Sequence, residues 1–286
     1  MVMKSILVAA EEPVSLPPIF STALLVAQQF GSHIEGMGIR SSAIPIVAAD
    51  GMSALTSQTL ESIAAEEIAR AERMREQFQT LVQARGVFWG EPSRDADGPS
   101  ADWLEVEPYE AESVGERGRL FDLIVVGRPL ARASTTLSKR IIESALFDTG
   151  RPVLIAPPSA PTELGRVIVI AWNGSPESAR AITFAMPFLE RAERVFVVEV
   201  EGATVPGPSI DEVKGYLARN GIAIETKRIE PGDKSAGQVL LDETASLGAD
   251  LLVKGAYTHS RLRQMIFGGV TSHILTEAKL PVLMAH

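Results

Sequence analysis

The chain has 286 residues, no cysteine and a formal net charge of −9, from 27 basic and 36 acidic side chains. Without cysteine it can form no disulfide, no thiolate metal site and no cysteine nucleophile. The negative charge repels phosphate backbones, so we expect no nucleic-acid partner. At 45% hydrophobic residues, a chain of this length buries enough core for one large or two ordinary domains.

The first predicted element is a buried parallel strand, the apolar run from Ile6 to Ala10. Glu11, Glu12 and Pro13 end this run, which makes it too short for a signal-peptide core or a membrane span. We therefore expect a soluble, cytoplasmic protein with no membrane partner.

A long amphipathic helix is predicted next, because apolar residues from Leu60 to Val82 recur at steps of three and four. Gly86 is placed to end it. The segment from Gly90 to Ala101 is rich in Gly, Pro, Asp and Ser, which predicts a surface loop before a strand from Trp103 to Val106. We interpret the apolar stripe of the helix as packing on its own sheet, with an interaction face as the alternative.

The late strands of the first half recur in the second half. Asp122-Leu-Ile-Val-Val-Gly127 matches Asp250-Leu-Leu-Val-Lys-Gly255 at an offset of 128 residues. Arg151-Pro-Val-Leu-Ile-Ala156 matches Leu280-Pro-Val-Leu-Met-Ala285 at an offset of 129. Two nearly equal offsets indicate an internal duplication.

The early strands indicate where the two copies differ. The run from Val167 to Ala171 repeats the run from Ile6 to Ala10 at an offset of 161, so the first half carries about 33 extra residues. Between the halves, Pro157-Pro-Ser-Ala-Pro-Thr162 is typical of a linker. We predict an N-terminal domain at 1–157, a linker at 158–163 and a C-terminal domain at 164–286.

The second half alternates strand-like and helical patterns. Ser175-Pro176-Glu177 predicts the start of a helix after the first strand. Further strands are expected at 195–200 and 222–229, and further helices at 210–217 and 236–247. This alternation is typical of βαβ units. The predicted fold class is therefore α/β, with two tandem Rossmann-like domains, each an open parallel sheet with helices on both faces.

The sequence also places a candidate ligand site in the second half. Open parallel sheets bind ligands at the carboxyl ends of their strands, beside the point at which strand order reverses. After the fourth strand, glycines lead into an apolar helix, so backbone amides and the helix dipole can approach a phosphate. The candidate binding residues are Ala171, Asn173, Val200, Lys254, Gly255, Thr258, Gly268, Gly269, Val270 and Thr271.

The loop pattern Gly-x2-Gly-x9-Gly-Ser/Thr, followed by a helix and a closing Pro-Val-Leu strand, resembles the universal stress protein family. Gly255 and Gly268 stand at the first and third glycines of that pattern. The resemblance covers almost the whole chain. It implies a five-stranded parallel sheet of order 3-2-1-4-5 in each half. It also implies binding of ATP or another adenine nucleotide, with Mg²⁺ as an accompanying ion, and at most weak ATPase activity.

Three positions of the second half depart from the family pattern. Thr258 replaces the second glycine, Gly269 replaces the Ser or Thr, and Asn173 replaces the acidic residue that holds the ribose. Gly269 lacks a hydroxyl donor, while Asn173 keeps an acceptor without its charge. Since one neutral hydrogen bond contributes about 0.5–1.5 kcal/mol, we expect weakened binding of nucleotide. The alternative is that the glycines only shape a tight loop and allow a helix to pack closely on a strand.

The first half departs further from the pattern. Arg128-Pro129 follow Gly127, and Arg140-Ile141 stand at the spacing of Gly268-Gly269. Side chains then occupy the place where a phosphate would approach the backbone. Glu11 and Glu12, after the first strand, are interpreted as a solvated loop end. We expect no nucleotide in this half.

Other chemistries find no support in the sequence. It contains no G-x4-G-K-[ST] motif and no G-x-S-x-G motif, and its four histidines lack metal-ligand spacing. Trp172 is expected either to stack on a base or to pack against the neighbouring domain. Three functions stay open: a nucleotide-binding stress-response or regulatory protein, a nucleotide-independent interaction scaffold, and a slow ATP hydrolase.

The last strand of each half is predicted to join the two domains. Single-domain members of the family pair through this strand, and an unpaired apolar sheet edge invites pairing. Pro152-Val-Leu-Ile155 and Pro281-Val-Leu-Met284 are therefore expected to form an intramolecular pseudo-dimer. A homodimer of the whole chain is a further expectation.

Overall fold

The computed structural model describes residues 3–39, 57–91, 98–104, 109–129, 135–256 and 269–286. The strands of this part of the chain are β1 (Ser5–Ala10), β2 (His33–Gly38), β3 (Phe88–Trp89), β4 (Ser100–Trp103), β5 (Leu123–Val126), β6 (Val153–Ile155), β7 (Val167–Ala171), β8 (Arg194–Val200), β9 (Glu225–Ile229), β10 (Leu251–Gly255) and β11 (Val282–Ala285). Its α-helices are α1 (Leu16–Phe30), α2 (Ser57–Ala84), α3 (Ala111–Gly118), α4 (Thr135–Asp148), α5 (Pro176–Leu189), α6 (Ile210–Arg219), α7 (Ala236–Ser246) and α8 (Gly269–Glu277).

These strands form a single sheet in the order β3-β4-β2-β1-β5-β6-β11-β10-β7-β8-β9. All of its pairings are parallel except that of β6 with β11. Counted within the second half, the order is 3-2-1-4-5, as predicted. The first half has the same order with β4 as its third strand. The α/β, Rossmann-like fold class is therefore confirmed.

The outer edge of the first half differs from the prediction. A short strand, β3, pairs with β4 and makes this half six-stranded instead of five-stranded. The predicted strand from Trp103 to Val106 was also misplaced, because β4 begins at Ser100 and residues 105–108 lie outside the described part. The reason is packing: Ser100 and Ala101 are buried, and Trp89 and Trp103 both contact the Phe78 ring of α2.

One aspartate in each half ties the fourth strand to the first. The carboxylate of Asp122 accepts the backbone N–H groups of Lys4, at 2.8 Å, and Ser5, at 3.1 Å. The carboxylate of Asp250 accepts the backbone N–H groups of residues 165–167, at 2.6 to 3.2 Å. Each carboxylate thereby satisfies donors at the start of the first strand. The internal repeat extends to these hydrogen bonds.

The predicted pairing of the two last strands is confirmed. β6 and β11 pair antiparallel, with Leu154 opposite Leu283. Both side chains are fully buried. The pairing removes two exposed edges and makes the sheet continuous from one half to the other. The domain boundaries at 157 and 164 and a homodimer stay predictions.

Helices cover both faces of the sheet. Along β7, Ile168 and Ile170 belong to the core on one face, while Val167 and Val169 belong to the core on the other. The long helix α2 packs on its own sheet, as interpreted, through buried residues that include Met74 and Phe78. Among the described residues, no helix has the length and apolar character needed to cross a membrane.

The join between the halves can be tested by shortening a side chain within it. Leu154→Ala removes buried volume opposite Leu283 and should lower the free energy of unfolding by about 2–5 kcal/mol. Leu120→Ala, at a side chain that is 84% exposed, should change it by less than about 0.5 kcal/mol. Urea unfolding followed by circular dichroism measures both, and equal effects would contradict a core position for β6.

Candidate functional site

A cavity of about 460 Å³ opens at the carboxyl ends of β7, β8 and β10. Strand β7 pairs with both β8 and β10, so strand order reverses at this point. Its described lining is mostly small and apolar: Ala171, Trp172, Asn173, Val198, Val200, Gly202, Ala203, Thr204, Val205, Ala236, Leu240, Lys254, Gly255, Gly269, Val270 and Thr271.

The cavity brings together most of the residues that the sequence singled out. Eight of them line it: Ala171, Asn173, Val200, Lys254, Gly255, Gly269, Val270 and Thr271. The other two, Thr258 and Gly268, lie outside the described residues. That these side chains bind a ligand stays a prediction.

Sequence reasoning missed the outer wall of the cavity, which the loop between β8 and α6 supplies. Gly174, with a φ of 82°, and Gly207 let this loop touch the turn after β7, since a Cβ on Gly207 would stand 2.0 Å from the carbonyl oxygen of Gly174. The missed inner residues Val198 and Leu240 had a readable signal. Val198 shares a strand face with Val200, and Leu240 follows Ala236 by one helical turn.

Trp172 is buried and lies in the wall of the cavity, and its two expected roles, stacking on a base and packing against the neighbouring domain, stay predictions. Its indole N–H donates to the carbonyl oxygen of Pro208 at 2.9 Å. A buried indole needs an acceptor, and the loop between β8 and α6 provides one. Trp172 therefore fixes the outer wall of the cavity to the end of β7.

Asn173 has a structural task besides its place in the cavity wall. Its Oδ1 accepts the backbone N–H of Ser175 at 3.2 Å, which forms an Asx turn. Ser175 then caps α5, as predicted, by accepting the backbone N–H of Ser178 at 3.1 Å. The side-chain oxygen of Asn173, which was expected to accept from a ribose, thus also helps to start α5.

Gly255 and Gly269, the two described glycines that flank the loop, serve different purposes. A Cβ on Gly255 would lie 2.5 Å from the backbone nitrogen of Ser178, so this glycine allows α5 to pack closely on β10. A Cβ on Gly269 would meet none of the described residues within 4 Å. The packing alternative therefore accounts for Gly255, but no described contact requires a glycine at position 269.

Lys254 is a buried cation in the cavity wall, with only 6% of its surface exposed. Its Nζ donates to the carbonyl oxygen of Gly255 at 2.6 Å and to Oγ1 of Thr271 at 3.0 Å. Burial lowers the pKa of this ammonium to about 8. None of the described carboxylates forms an ion pair with it.

The pKa of Lys254 predicts its effect on stability. Unfolded lysine keeps its ordinary pKa of 10.5, so at neutral pH folding must desolvate an ammonium. The cost is on the order of 3 kcal/mol below pH 8 and vanishes as pH rises through about 10.5. Lys254→Met should therefore raise the free energy of unfolding at pH 7, by less at pH 9 and by little at pH 10.5.

Urea unfolding at these three pH values measures the effect. The matched control is Lys214→Met, at an exposed position of α6, which should change stability by less than about 0.5 kcal/mol at each pH. A Lys254→Met effect that does not change with pH would contradict the burial of a charge.

The corresponding cleft of the first half is filled. About 10 Å³ is left there between the described residues, enough for about one water molecule. Glu11 is 6% exposed, its carboxylate accepts from the hydroxyl of Ser138, and its carbonyl oxygen accepts from Arg70 of α2. The interpretation of Glu11 as a solvated loop end was wrong, because α2 supplies a partner from far along the chain.

Arg128 extends from the end of the first half to the second half. It is 5% exposed, and burial lowers the pKa of its guanidinium to about 10. Its Nε donates to Ala156 at 3.2 Å, while Nη1 and Nη2 donate to the carbonyl oxygens of Leu275, at 3.4 Å, and Leu280, at 3.5 Å. Carbonyl groups at a helix C-terminus lack partners within the helix. Arg128 thus caps α8, whose first turn lines the cavity.

A group of potential metal ligands lies on the outer part of the first half. His33, Glu91 and Asp102 place one ligand atom each within 4.8 Å of one another, and Nε2 of His33 lies 3.3 Å from Oδ1 of Asp102. Burial raises the pKa of the Asp102 carboxyl, against the lowering effect of His33. The geometry is that of an ion pair, and the expected absence of a metal site stays a prediction.

Comparison with known proteins assigns the second half of the chain. Residues 165–286 match the model of the universal stress protein family. The C-terminal half belongs to the universal stress protein family. The match includes the loop pattern, α8 and the closing strand β11, on which the resemblance was recognised.

One relative, itself a universal stress protein, extends the likeness toward the N-terminus. A universal stress protein of Synechocystis sp. is 23% identical over 169 residues, which cover 57% of this chain and 57% of that protein. The matched part is thus little over half the length of that relative.

Two crystal structures match this chain over nearly its full length. One is a universal stress protein of Archaeoglobus fulgidus, with a TM-score of 0.69, 10% identity and coverage of 99% of this chain and 96% of that one. The other is a candidate universal stress protein of Pseudomonas aeruginosa, with a TM-score of 0.54, 16% identity and coverage of 99% and 93%. At such identities the likeness shows the fold alone.

Proposed function

We propose that the cavity of the C-terminal half binds an adenine nucleotide, and that the protein is a stress-response or regulatory protein without strong catalysis. The observation that carries this proposal is the cavity itself. Its volume of about 460 Å³ suits a small-molecule ligand, and it lies at the switch point of the sheet. We also propose that residues 1–157 and 164–286 form the two domains, of which the second contains the cavity.

The two sides of the cavity suit the two ends of a nucleotide. Val198, Val200 and Leu240 form an apolar wall for the base. On the other side the first turn of α8 has backbone N–H groups without helical partners, and Gly269 leaves space in front of them. The proposed pose places the phosphates at α8 and the base toward β8.

The described lining favours binding over hydrolysis. Its single titratable side chain is Lys254, and it contains no histidine or carboxylate to serve as a general base. For the same reason, an Mg²⁺ ion that accompanied the nucleotide would be held by phosphate oxygens and water. A slow ATP hydrolase is therefore less well supported than a nucleotide-binding protein.

The scaffold alternative makes a different use of the same fold. The close packing of α5 on β10 explains Gly255 without any ligand, which is the observation that favours this alternative. It predicts that the purified protein releases no nucleotide and that added ATP does not bind to it.

Occupancy of the cavity can be measured directly. Protein purified without added nucleotide is denatured, and any released molecule is identified by mass spectrometry, while ATP, ADP and AMP are titrated by calorimetry. Ala203→Trp fills the cavity and should abolish binding, whereas Ala218→Trp, on the exposed side of α6, should leave it intact. No released nucleotide and no heat at millimolar ATP would reject the proposal in favour of the scaffold.

Gly269 offers a gain-of-binding test. Gly269→Ser restores the hydroxyl donor of the family pattern at a position with free space around the Cβ. One added neutral hydrogen bond should tighten ATP binding about 2- to 13-fold. Gly269→Ala adds the Cβ without the hydroxyl and is the control. Equal affinities of the two variants would contradict phosphate binding at the first turn of α8.

A further inference from the structure

No acidic side chain in the described part of the molecule forms an ion pair with Lys254. A lone buried ammonium is costly, so proteins pair it, hydrogen-bond it or shift its protonation. Here both described acceptors, the carbonyl oxygen of Gly255 and the hydroxyl of Thr271, are neutral. An ammonium has three donors, and within the described residues two are used. Lys254 is also part of the cavity wall, where a ligand could accept a hydrogen bond from it.

A second positive feature lies beside the first. Thr271, which accepts from Lys254, belongs to the first turn of α8. The N-terminus of a helix carries a partial positive charge and favours anions. A cation at this end of a helix is therefore unfavourable in the empty protein. An anion between the Lys254 ammonium and the N-terminus of α8 would be stabilised by both groups.

The described elements around Lys254 contribute no ion pair to it. In the sheet its neighbours are Ala171 of β7 and Met284 of β11. Helix α7 presents Ala236 and Leu240 to the cavity, and α8 presents Val270 and Thr271.

None of the described titratable groups of those elements forms an ion pair with Lys254, although Oε2 of Glu177 and Nε2 of His273 are buried without a described hydrogen-bond partner. Glu243 of α7 pairs with Lys227, Asp242 pairs with Lys234, and His273 of α8 packs against Gly237. Glu277 of α8 lies toward Arg128, at the far end of the helix. On the opposite face of the sheet, Glu177 of α5 stands over Gly255.

We propose that Lys254 is the counter-charge for a phosphate of the ligand, so that the cavity takes up a proton when it binds a nucleotide and selects nucleotides over the uncharged nucleoside. This inference rests on the proposed function and adds to it the charge of the ligand and a response to pH. In the empty cavity, burial disfavours the ammonium and lowers the pKa of Lys254. A bound phosphate stabilises the ammonium and keeps the proton on it.

The affinity should then depend on pH in a defined direction. Because burial lowers the pKa of Lys254 to about 8, the lysine of the empty protein is mostly protonated at pH 7 and mostly neutral at pH 9. Nucleotide phosphates, with a last pKa of about 6, do not change charge in this range. Affinity should therefore fall about tenfold for each pH unit above 8, up to the pKa of the occupied site.

Calorimetry with the full chain tests this coupling. ATP, AMP, adenosine and inorganic phosphate are titrated at pH 7 and pH 9, and again at pH 8 in two buffers with different ionisation enthalpies. We expect uptake of roughly half a proton per nucleotide at pH 8, binding about tenfold weaker at pH 9 than at pH 7, and much weaker binding of adenosine. Binding of inorganic phosphate with the same proton uptake would support the lysine subsite independently of the base.

Two variants isolate the lysine. Lys254→Arg keeps the positive charge at both pH values and should remove the pH dependence while retaining a preference for AMP over adenosine. Lys254→Met should weaken ATP binding at pH 7 at least tenfold, abolish proton uptake and bind AMP and adenosine alike. Circular dichroism and urea unfolding confirm that each variant is folded.

The outcomes separate the two proposals. If ATP binds the wild type and Lys254→Met with equal affinity and no proton uptake, the role of Lys254 is overturned and nucleotide binding stands. If neither ATP, AMP nor phosphate binds the wild type at any pH, both proposals fail.

Discussion

The antiparallel pairing of β6 with β11 is the constraint on which the rest of the molecule depends. Each half ends its parallel sheet in a fully buried strand, and such a strand cannot be left with an open edge. Since β6 and β11 run in opposite directions, the two halves are reversed relative to each other within one sheet. The carboxyl ends of their strands therefore lie on opposite rims. The open cavity and the filled cleft are separate sites that do not compete for a common entrance.

The filling of the first cleft is linked to the extra length of that half. The helix α2 supplies Arg70, which binds the carbonyl oxygen of Glu11 and, at 3.2 Å, that of Ile39. Ile141 adds apolar volume from α4, and Arg128 is buried at the end of β5. In the second half the same places have Ala256 and Gly269. One copy of the duplicated fold has thus closed its cleft with side chains, while the other has kept small residues and a cavity.

Much of this could be predicted from the sequence where the signal is local. Apolar runs of buried strands, Ser175 as a helix cap and the shared Asp-to-Gly segment all depend on residues near each other in the chain. Because the carboxyl ends of neighbouring parallel strands converge, the candidate binding residues could be expected at one place without knowledge of their side-chain contacts. Eight of them line one cavity. The order of strands in the second half followed from the family resemblance.

The features that the sequence did not predict are not local, because each depends on a residue that is distant in the chain. Glu11 is buried by Arg70, which lies 59 residues away. Trp172 finds its acceptor in Pro208, which belongs to the loop after the next strand. The strand β4 begins in a segment of polar and turn-forming residues, where Ser100 and Ala101 are buried and pair with β2 and β3, which lie far away in the chain. The sequence showed that Lys254 ends a strand, but not that it would be buried without an acid.

Arg128 sets a limit on how modular this duplicated protein is. Its guanidinium caps the C-terminus of α8 from the other half, and β6 covers the edge of β11. A chain cut at the linker would deprive the C-terminal half of a helix cap and a strand partner at once. A second copy of the same half could replace the strand, but the equivalent of Arg128 in that copy is Ala256, which has no cation to offer. The two halves have therefore diverged into complementary parts, and neither one could be regained by simply repeating the other.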